Sequence, residues 1–220
     1  MEAVVASILE SGVAFRARRG EAGCGDVHVV AARPEGVLVA AIDGLGHGKE
    51  AAVAAAAATS CLQTHAHDRI ESLFTRCHET LRSTRGAVMS VATFDRARDS
   101  MTWLGVGNVI GVLLQRQPDG WREHTLLLRS GVVGSGVLPA ASAEILRVAG
   151  GDTLVFATDG IERDFDRELV VSRAPQRAAE TILARYAKSD DDALVLVVRY
   201  IGKGAKRAER SARVRRMRSG

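Results

Sequence analysis

The chain has 220 residues, of which 46% are hydrophobic and 25% charged, a balance typical of a globular domain with a sizeable core. This composition excludes collagen, a coiled coil and wholesale disorder. The longest apolar runs, residues 51–58 and 194–198, are far shorter than the ~20 residues of a membrane span, and the acidic start, Met1 to Val4, has no secretory n-region. These features predict a soluble, cytoplasmic protein.

The net charge of +4 is unevenly distributed along the chain. Residues 202–220 contain eight Lys and Arg against one acid, Glu209, which leaves a mildly acidic body of about −3. We therefore predict one domain over residues 1–201 and a disordered basic tail over 202–220. The tail lacks the aromatic side chains that stack on bases, so docking on an acidic surface is favoured over nucleic-acid binding.

The first predicted elements are strands and helices in succession. Alternating apolar residues predict strands at residues 4–8 and 13–17, joined by a turn at Glu10 to Gly12. A hairpin is predicted from Val27 to Ala32 and Val37 to Ile42. Two helices follow, from Lys49 to His65 and from Arg69 to Ser83, the second with Asp68 as its cap.

The remaining chain is predicted to be mostly strand. Gly107-Asn108 between two apolar runs indicates a hairpin turn, with Asn108 in its positive-φ position, and residues 131–136 form a glycine-rich connection. A helix from Pro175 to Lys188 precedes a last apolar strand. The predicted strands cover residues 87–94, 101–106, 109–115, 122–128, 143–148, 153–157 and 193–201. This order indicates an antiparallel α+β layered fold.

Acidic residues stand at the ends of several predicted strands. Asp26 precedes one strand, Asp43 and Asp159 each follow one directly, and the run of residues 190–192 precedes the last. A single such aspartate is usually a turn residue, but four at strand edges favour a site for two hard cations such as Mg²⁺ or Mn²⁺. Asp43 is the best candidate to bridge them, and the glycine after it leaves a carbonyl free as a further ligand.

Residues 43–50, the segment DGLGHGKE, were compared with other glycine-rich motifs. A P-loop is excluded because its first glycine is replaced by Asp43 and Lys49 is followed by an acid. A dinucleotide loop has a different glycine spacing, and an EF-hand requires oxygen ligands where Leu45 and His47 stand. A metal-binding Asp-Gly turn remains.

Six motifs in fixed order resemble the metal-dependent protein phosphatases of the type-2C (PPM) superfamily, and within it the small SpoIIE-type bacterial branch. They are Gly25-Asp26, residues 43–48, Arg85-Gly86-Ala87, residues 105–109, residues 157–161 and Asp191-Asp192. The resemblance covers about residues 10–200. It implies an antiparallel β-sandwich flanked by α-helices, with two Mn²⁺ or Mg²⁺ ions at one edge.

The resemblance also implies roles for individual residues. Asp43 would bridge the two ions, Asp26 and the Gly44 carbonyl would complete one, and Asp159 and Asp191 would hold the other. The family pattern selects Asp191 over its two aspartate neighbours. The sequence departs from the pattern at Leu194, where Thr or Ser is usual, so a supporting hydroxyl is expected to be missing.

The chemistry implied is in-line attack of a metal-activated water on a phosphoserine or phosphothreonine. His47 could protonate the leaving oxygen or be a solvent-facing turn residue. Cys24 lacks the C-x5-R context of a thiol phosphatase, and all three cysteines are expected to be free thiols.

The resemblance implies phosphorylated STAS-domain proteins of a stressosome, the scaffold or its antagonist, as partners. Their dephosphorylation would reset a general stress response. Two alternatives remain: a phosphorylated anti-anti-sigma factor outside any stressosome, and a pseudophosphatase that binds partners without turnover. The intact aspartate set opposes the pseudophosphatase, whereas Leu194 leaves it open.

Overall fold

Two five-stranded antiparallel sheets pack face to face, and helices cover both outer faces. The computed structural model describes residue 5 and residues 8–21, 23–140 and 142–202. One sheet has the strand order β1-β10-β9-β6-β7 and the other β2-β3-β4-β5-β8. This is the predicted α+β sandwich, so the fold class is confirmed.

The bounds of the elements follow the chain. The strands are β1 Leu9–Arg16, β2 Asp26–Arg33, β3 Gly36–Gly44, β4 Ala87–Asp95, β5 Ser100–Val106, β6 Ile110–Gln117, β7 Gly120–Thr125, β8 Glu144–Arg147, β9 Thr153–Ala157 and β10 Ala193–Tyr200. The helices are α1 Gly48–Thr64, α2 Ile70–Leu81, α3 Arg167–Ser172 and α4 Pro175–Tyr186.

Three apolar layers hold these elements together. The layer between the sheets contains Trp103, Leu113 and Phe156. A second layer lies between the β2-to-β8 sheet and helices α1 and α2, and a third between the other sheet and helices α3 and α4. The central strands are therefore covered on both faces.

Strand β3 shows why these central strands have continuous apolar sequences. Val37, Val39 and Ala41 face the other sheet, whereas Leu38 and Ala40 alternate with them and face the helices. All five side chains are fully buried. Such a strand has no polar face, because neither of its faces meets water.

The first strand is longer than predicted. Strand β1 runs without interruption from Leu9 to Arg16, through the turn expected at Glu10 to Gly12, and pairs along its whole length with β10. The other strand, predicted at residues 4–8, is not confirmed, because Val5 is helical and Ile8 lies in a turn, while residues 4, 6 and 7 lie outside the described residues. Gly12 serves a different purpose, because helix α4 crosses the strand there and leaves no room for a side chain.

The segment Gly107-Asn108 is the second correction. It joins β5 to β6, which lie in different sheets, so it crosses the sandwich and is not a hairpin turn. Gly107 has the positive φ, at 102°, and Asn108 does not. The apolar runs on either side matched a hairpin locally, but each pairs with other strands of its own sheet.

Most other predicted elements are confirmed, with boundary shifts of a few residues. The β2–β3 hairpin, the first two long helices and the helix from Pro175 are present. Asp68 does not cap its helix, because Arg69 occupies that position and Asp68 binds the Arg76 guanidinium at 2.7 Å. The short helix α3 was not predicted.

No helix in the described part of the chain is both long and apolar enough to cross a membrane. The predicted basic tail, from residue 203 onward, lies outside the described residues. Cys24, Cys61 and Cys77 are free, as predicted.

We predict that Gly12→Ala destabilises the fold by about 1–3 kcal/mol. An added Cβ would lie 2.1 Å from the backbone nitrogen of Gln176, whose side chain also bonds both main-chain groups of Val13. Urea unfolding measures the change. The exposed neighbour Ser11→Ala is the control and should stay within about 0.5 kcal/mol of the wild type; equal stability of Gly12→Ala would contradict the crowding.

Candidate metal centre

Carboxylates from both sheets meet at one edge of the sandwich. Asp26 begins β2 and stands opposite Asp43 in the β2–β3 register. Asp159 lies two residues after the end of β9, and Asp191 lies two residues before β10. Because β9 and β10 are neighbours in one sheet and β2 and β3 in the other, packing the sheets brings the four positions together.

Their charges interact strongly. Burial raises the pKa of the Asp43 carboxyl to about 7, and the negative charges of Asp159 and Asp191 add to the effect. Burial, followed by repulsion from Asp43, raises the pKa of Asp26 to about 8. The pKa of Asp191 is also raised, by burial and then by Asp159. A cation would relieve this mutual repulsion.

A hydrogen-bond chain through Thr158 supports Asp26. The Thr158 hydroxyl donates to Asp26 Oδ2 at 2.6 Å and accepts from the backbone N–H of Leu194 at 2.9 Å. All three residues are buried. Position 194 is Leu, so the hydroxyl that the family pattern places there is missing, as expected. The hydroxyl that contacts Asp26 belongs to Thr158, just after β9, and the Leu194 backbone N–H positions it.

The three consecutive aspartates have different environments. Asp190 is exposed. Asp192 is buried, and its carboxylate accepts the backbone N–H groups of Arg18 and Gly25, both at 2.7 Å. Asp191 is half-buried and within the field of Asp159 and Asp43. Asp192 also acts by its charge on Asp26 and Asp43, but both of its carboxylate oxygens are used to anchor two backbone segments. Asp191 is coupled to Asp159 and Asp43 and makes no such long-range anchor.

The glycines of both Asp-Gly pairs are required by close packing. A Cβ at Gly44 would lie 2.1 Å from the Ala51 carbonyl oxygen of helix α1. A Cβ at Gly160 would be near the Asp192 carbonyl oxygen, well inside contact distance. Each aspartate is thus followed by a point where two backbones touch, which fixes the carboxylate's place.

Asn108 contacts this cluster and is not a plain turn residue. Its side-chain amide donates to Asp159 Oδ2 at 2.7 Å. The side-chain carbonyl oxygen of Asn108, Oδ1, is buried and has no hydrogen-bond partner within the described residues. An unsatisfied buried oxygen beside a carboxylate cluster suits a cation or its bound water.

His47 stands at the start of helix α1 and pairs with Glu21. Its Nδ1 lies 2.8 Å from Glu21 Oε1, and the His47 side chain is 62% exposed. The contact leaves Nε2 as the nitrogen available to a substrate. Glu21 was not singled out from the sequence, because its separation of 26 residues from His47 hides the pairing.

Two cationic groups, Lys188 and Arg18, act near the carboxylates. Lys188 Nζ donates to the Asp159 carbonyl oxygen at 2.6 Å, and the charge of Arg18 acts to lower the pKa of Asp191. Arg85, from the predicted motif, forms an ion pair with Glu50 near Gly46. Cys24 is a packed neighbour, as expected, since burial raises the pKa of its thiol to about 12.

The donor set fits Mg²⁺ or Mn²⁺, which prefer carboxylate and carbonyl oxygens. Within the described ranges, no three acidic, histidine or cysteine side chains stand close enough together to hold one metal ion by themselves. An open arrangement suits Mg²⁺, which keeps several waters and takes few protein ligands. Four further residues complete the site: Thr158, Asn108, Asp192 and Glu21. Short-range sequence patterns gave no signal for their contacts.

The chain is similar to known proteins in sequence and in fold. Residues 33–201 match the family model described as Stage II sporulation protein E (SpoIIE). The chain is 28% identical over 144 residues to the phosphoserine phosphatase RsbX of Bacillus subtilis (strain 168), covering 66% of this chain and 70% of RsbX.

Two solved structures have the same fold. A chain from a study of the bacterial stressosome as a modular system that controls secondary messenger signalling is 30% identical, with a TM-score of 0.80 and coverage of 87% of this chain and 99% of that one. A structure of RsbX in complex with magnesium is 24% identical, with a TM-score of 0.77 and coverage of 88% and 96%.

We predict that Asp43→Asn stabilises the protein in chelator, increasingly so as the pH rises from about 4 to about 7. The pKa of Asp43 is higher in the folded protein than its ordinary value of 3.8, so its ionisation across this window costs folding free energy. The melting temperature of Asp43→Asn should exceed that of the wild type, and this difference should be about 4 °C larger at pH 8 than at pH 5. Exposed Asp190→Asn should show no such trend; a constant Asp43→Asn difference would contradict the repulsion.

We predict that Thr158→Val lowers Mn²⁺ affinity about tenfold and unfolding free energy by about 1–3 kcal/mol. The valine keeps the shape but leaves Asp26 without its donor and the Leu194 N–H without its acceptor. Thr158→Ser retains the hydroxyl and should behave as wild type. Calorimetric Mn²⁺ titration and urea unfolding measure both effects, and equal loss in the serine variant would argue against the hydrogen bonds.

Proposed function

The chain belongs to the SpoIIE family of PP2C-type serine/threonine protein phosphatases, and from this we propose that it dephosphorylates STAS-domain proteins of a stressosome, resetting a general stress response. The observation that carries the reaction is the cluster of Asp26, Asp43, Asp159 and Asp191 at the edge of the sandwich. The family matched from residue 33 to 201 and the motif-based prediction agree.

The choice of substrate is supported by two relatives. One is a phosphoserine phosphatase, RsbX, and the other belongs to a study of the bacterial stressosome. Both span most of this chain. We also infer a cytoplasmic location, where such signalling proteins and free thiols such as Cys61 are compatible.

PP2C-type phosphatases depend on metal, and we propose two ions, Mn²⁺ or Mg²⁺, for this chain. Asp43 would contact both, since it is coupled to carboxylates of either sheet. Asp26 and the Gly44 carbonyl would complete one site, and Asp159 and Asp191 the other. When bound, the ions would lower the pKa of a water and offset charge on the phosphoryl oxygens.

The protein residues contribute position and protons. Asp43 and Asp26 are held by strand pairing, and Thr158 fixes the orientation of Asp26. Glu21 holds His47 Nδ1, so that Nε2 can deliver a proton to the departing serine or threonine oxygen. Lys188 donates to the Asp159 backbone and keeps that turn in place.

A phosphorylated anti-anti-sigma factor outside any stressosome is the alternative substrate, because it shares the phosphoserine chemistry. A binding-only pseudophosphatase was the other alternative, resting on Leu194. The Thr158 hydroxyl donates to Asp26 and accepts from the Leu194 N–H, and this support of a proposed ligand favours the active enzyme over the pseudophosphatase.

We predict metal-dependent phosphate release from a kinase-phosphorylated STAS-domain protein of the same organism. Asp43→Asn and Asp191→Asn should each reduce kcat at least about 100-fold, because each removes a proposed ligand. Asp190→Asn, an exposed neighbour, is the matched control and should keep full activity. Release without added Mn²⁺ or Mg²⁺, in chelator, would contradict the metal mechanism.

The choice of client is tested separately with the same protein. A phosphorylated anti-anti-sigma factor is assayed beside the stressosome protein, and the higher kcat/KM identifies the preferred substrate. Loss of activity on both, with activity on p-nitrophenyl phosphate retained, would reject both clients but not the phosphatase.

A further inference from the structure

Two cysteines face each other across the interface of helices α1 and α2. Cys61 lies near the end of α1 and Cys77 in the second half of α2. Both are buried in the apolar layer between these helices and the β2-to-β8 sheet. The thiol of Cys77 donates a hydrogen bond to the sulfur of Cys61. The two sulfurs are therefore in direct contact in the reduced protein.

We propose that Cys61 and Cys77 form a redox modification site, at which a peroxide oxidises Cys61 and Cys77 then closes an intramolecular disulfide. The reaction goes beyond the proposed phosphatase activity, because neither cysteine belongs to the carboxylate cluster. Disulfides that form in reducing compartments are usually transient and redox-sensing. A second thiol beside the reactive one is typical of such sites.

The surroundings of Cys61 favour its thiolate. The hydrogen bond from Cys77 lowers the pKa of the Cys61 thiol to about 6, against the effect of burial, and the Thr80 hydroxyl and the charge of Arg76 add to the lowering. The thiolate is the form of cysteine that attacks peroxides. A cysteine that only packs among apolar side chains has a raised pKa and is inert. Cys61 therefore has chemistry that its burial alone does not explain.

The two cysteines differ in ways that suit two successive steps. Cys61 is 7% exposed, whereas Cys77 is completely buried, so a small oxidant from solvent meets Cys61 first. The hydrogen bond to Cys61, followed by burial, raises the pKa of Cys77. Cys77 thus keeps its proton while Cys61 is a thiolate. Oxidation of Cys61 removes that thiolate, and with it the main reason for Cys77 to remain protonated.

The reaction balances with one peroxide and two thiols. The Cys61 thiolate attacks one peroxide oxygen, so that an S–O bond forms, the O–O bond breaks, and the released hydroxide takes up a proton to become water. Cys77 sulfur then attacks the Cys61 sulfenic acid, and the S–S bond replaces the S–O bond. The Cys77 proton leaves with the hydroxide as a second water. Both sulfurs are oxidised and the peroxide is reduced.

The disulfide would join α1 to α2 and close the loop of residues 62–76. Ala54 and Ala58, in the same layer as Cys61, are small and let the two helices approach closely. A cross-link of this kind stabilises a protein mainly because it restricts the unfolded chain. The oxidised protein should therefore melt about 5 °C above the reduced protein, and a thiol reductant should reverse the change.

Peroxide treatment of the reduced full-length protein tests the proposal. With a small molar excess of hydrogen peroxide, the intact mass should fall by about 2 Da and the free thiols from three to one. Peptide mapping should identify the Cys61–Cys77 bond. Cys61 should react at least about tenfold faster than Cys24, which is half-buried and has a thiol pKa raised by burial to about 12.

Three serine variants separate the steps, and melting of each reduced variant checks that it is folded. Cys77→Ser keeps a donor for Cys61 but removes the second sulfur, so a sulfenic acid that dimedone labels should accumulate at Cys61. Cys61→Ser should show no loss of 2 Da, whereas the matched control Cys24→Ser should lose it as the wild type does. An unchanged wild-type mass, a disulfide that includes Cys24, or Cys24 reacting as fast as Cys61 would overturn the proposal.

Discussion

The hydrogen bond from Thr158 to Asp26 ties the two sheets together at the edge where the carboxylates meet. Asp26 begins a strand of one sheet, and Thr158 directly follows strand β9 of the other. The bond is buried, and its donor is itself held by the Leu194 N–H. The apolar layer holds the sheets together elsewhere, but at this edge carboxylates repel one another, and a neutral donor holds Asp26 in place against that repulsion.

The repulsion among the carboxylates also explains why the surrounding backbone is so closely packed. Asp192 uses both carboxylate oxygens to bind the backbone before β2, at Arg18 and Gly25, while its neighbour Asp191 stays within the field of the cluster. Adjacent aspartates thus have two different roles. One stabilises the fold, and the other remains available for a cation. A site of mutually destabilising acids is in this way supported by an anchor of the same residue type.

The sequence was most informative where a local pattern and the tertiary structure agree. The β2–β3 hairpin, the long alanine-rich helix and the apolar central strands follow from spacing alone, and the Asp-Gly pairs marked the site. The errors arose where partners are distant in sequence. Gly107-Asn108 has the local features of a hairpin, but pairing with β4 and β9 separates its flanking strands into different sheets. The apparent turn in β1 failed because Gly12 is explained by a helix 163 residues away, and Thr158 and Glu21 act only through such distant contacts.

The glycines of the site explain why the sequence alone reveals its position. Gly44 and Gly160 follow their aspartates because a second backbone, at Ala51 or Asp192, passes within contact distance. A side chain at either place would push that backbone away and move the carboxylate before it, so fold and chemistry constrain the same two positions. The pairing of aspartate with glycine is therefore visible in one sequence without any alignment.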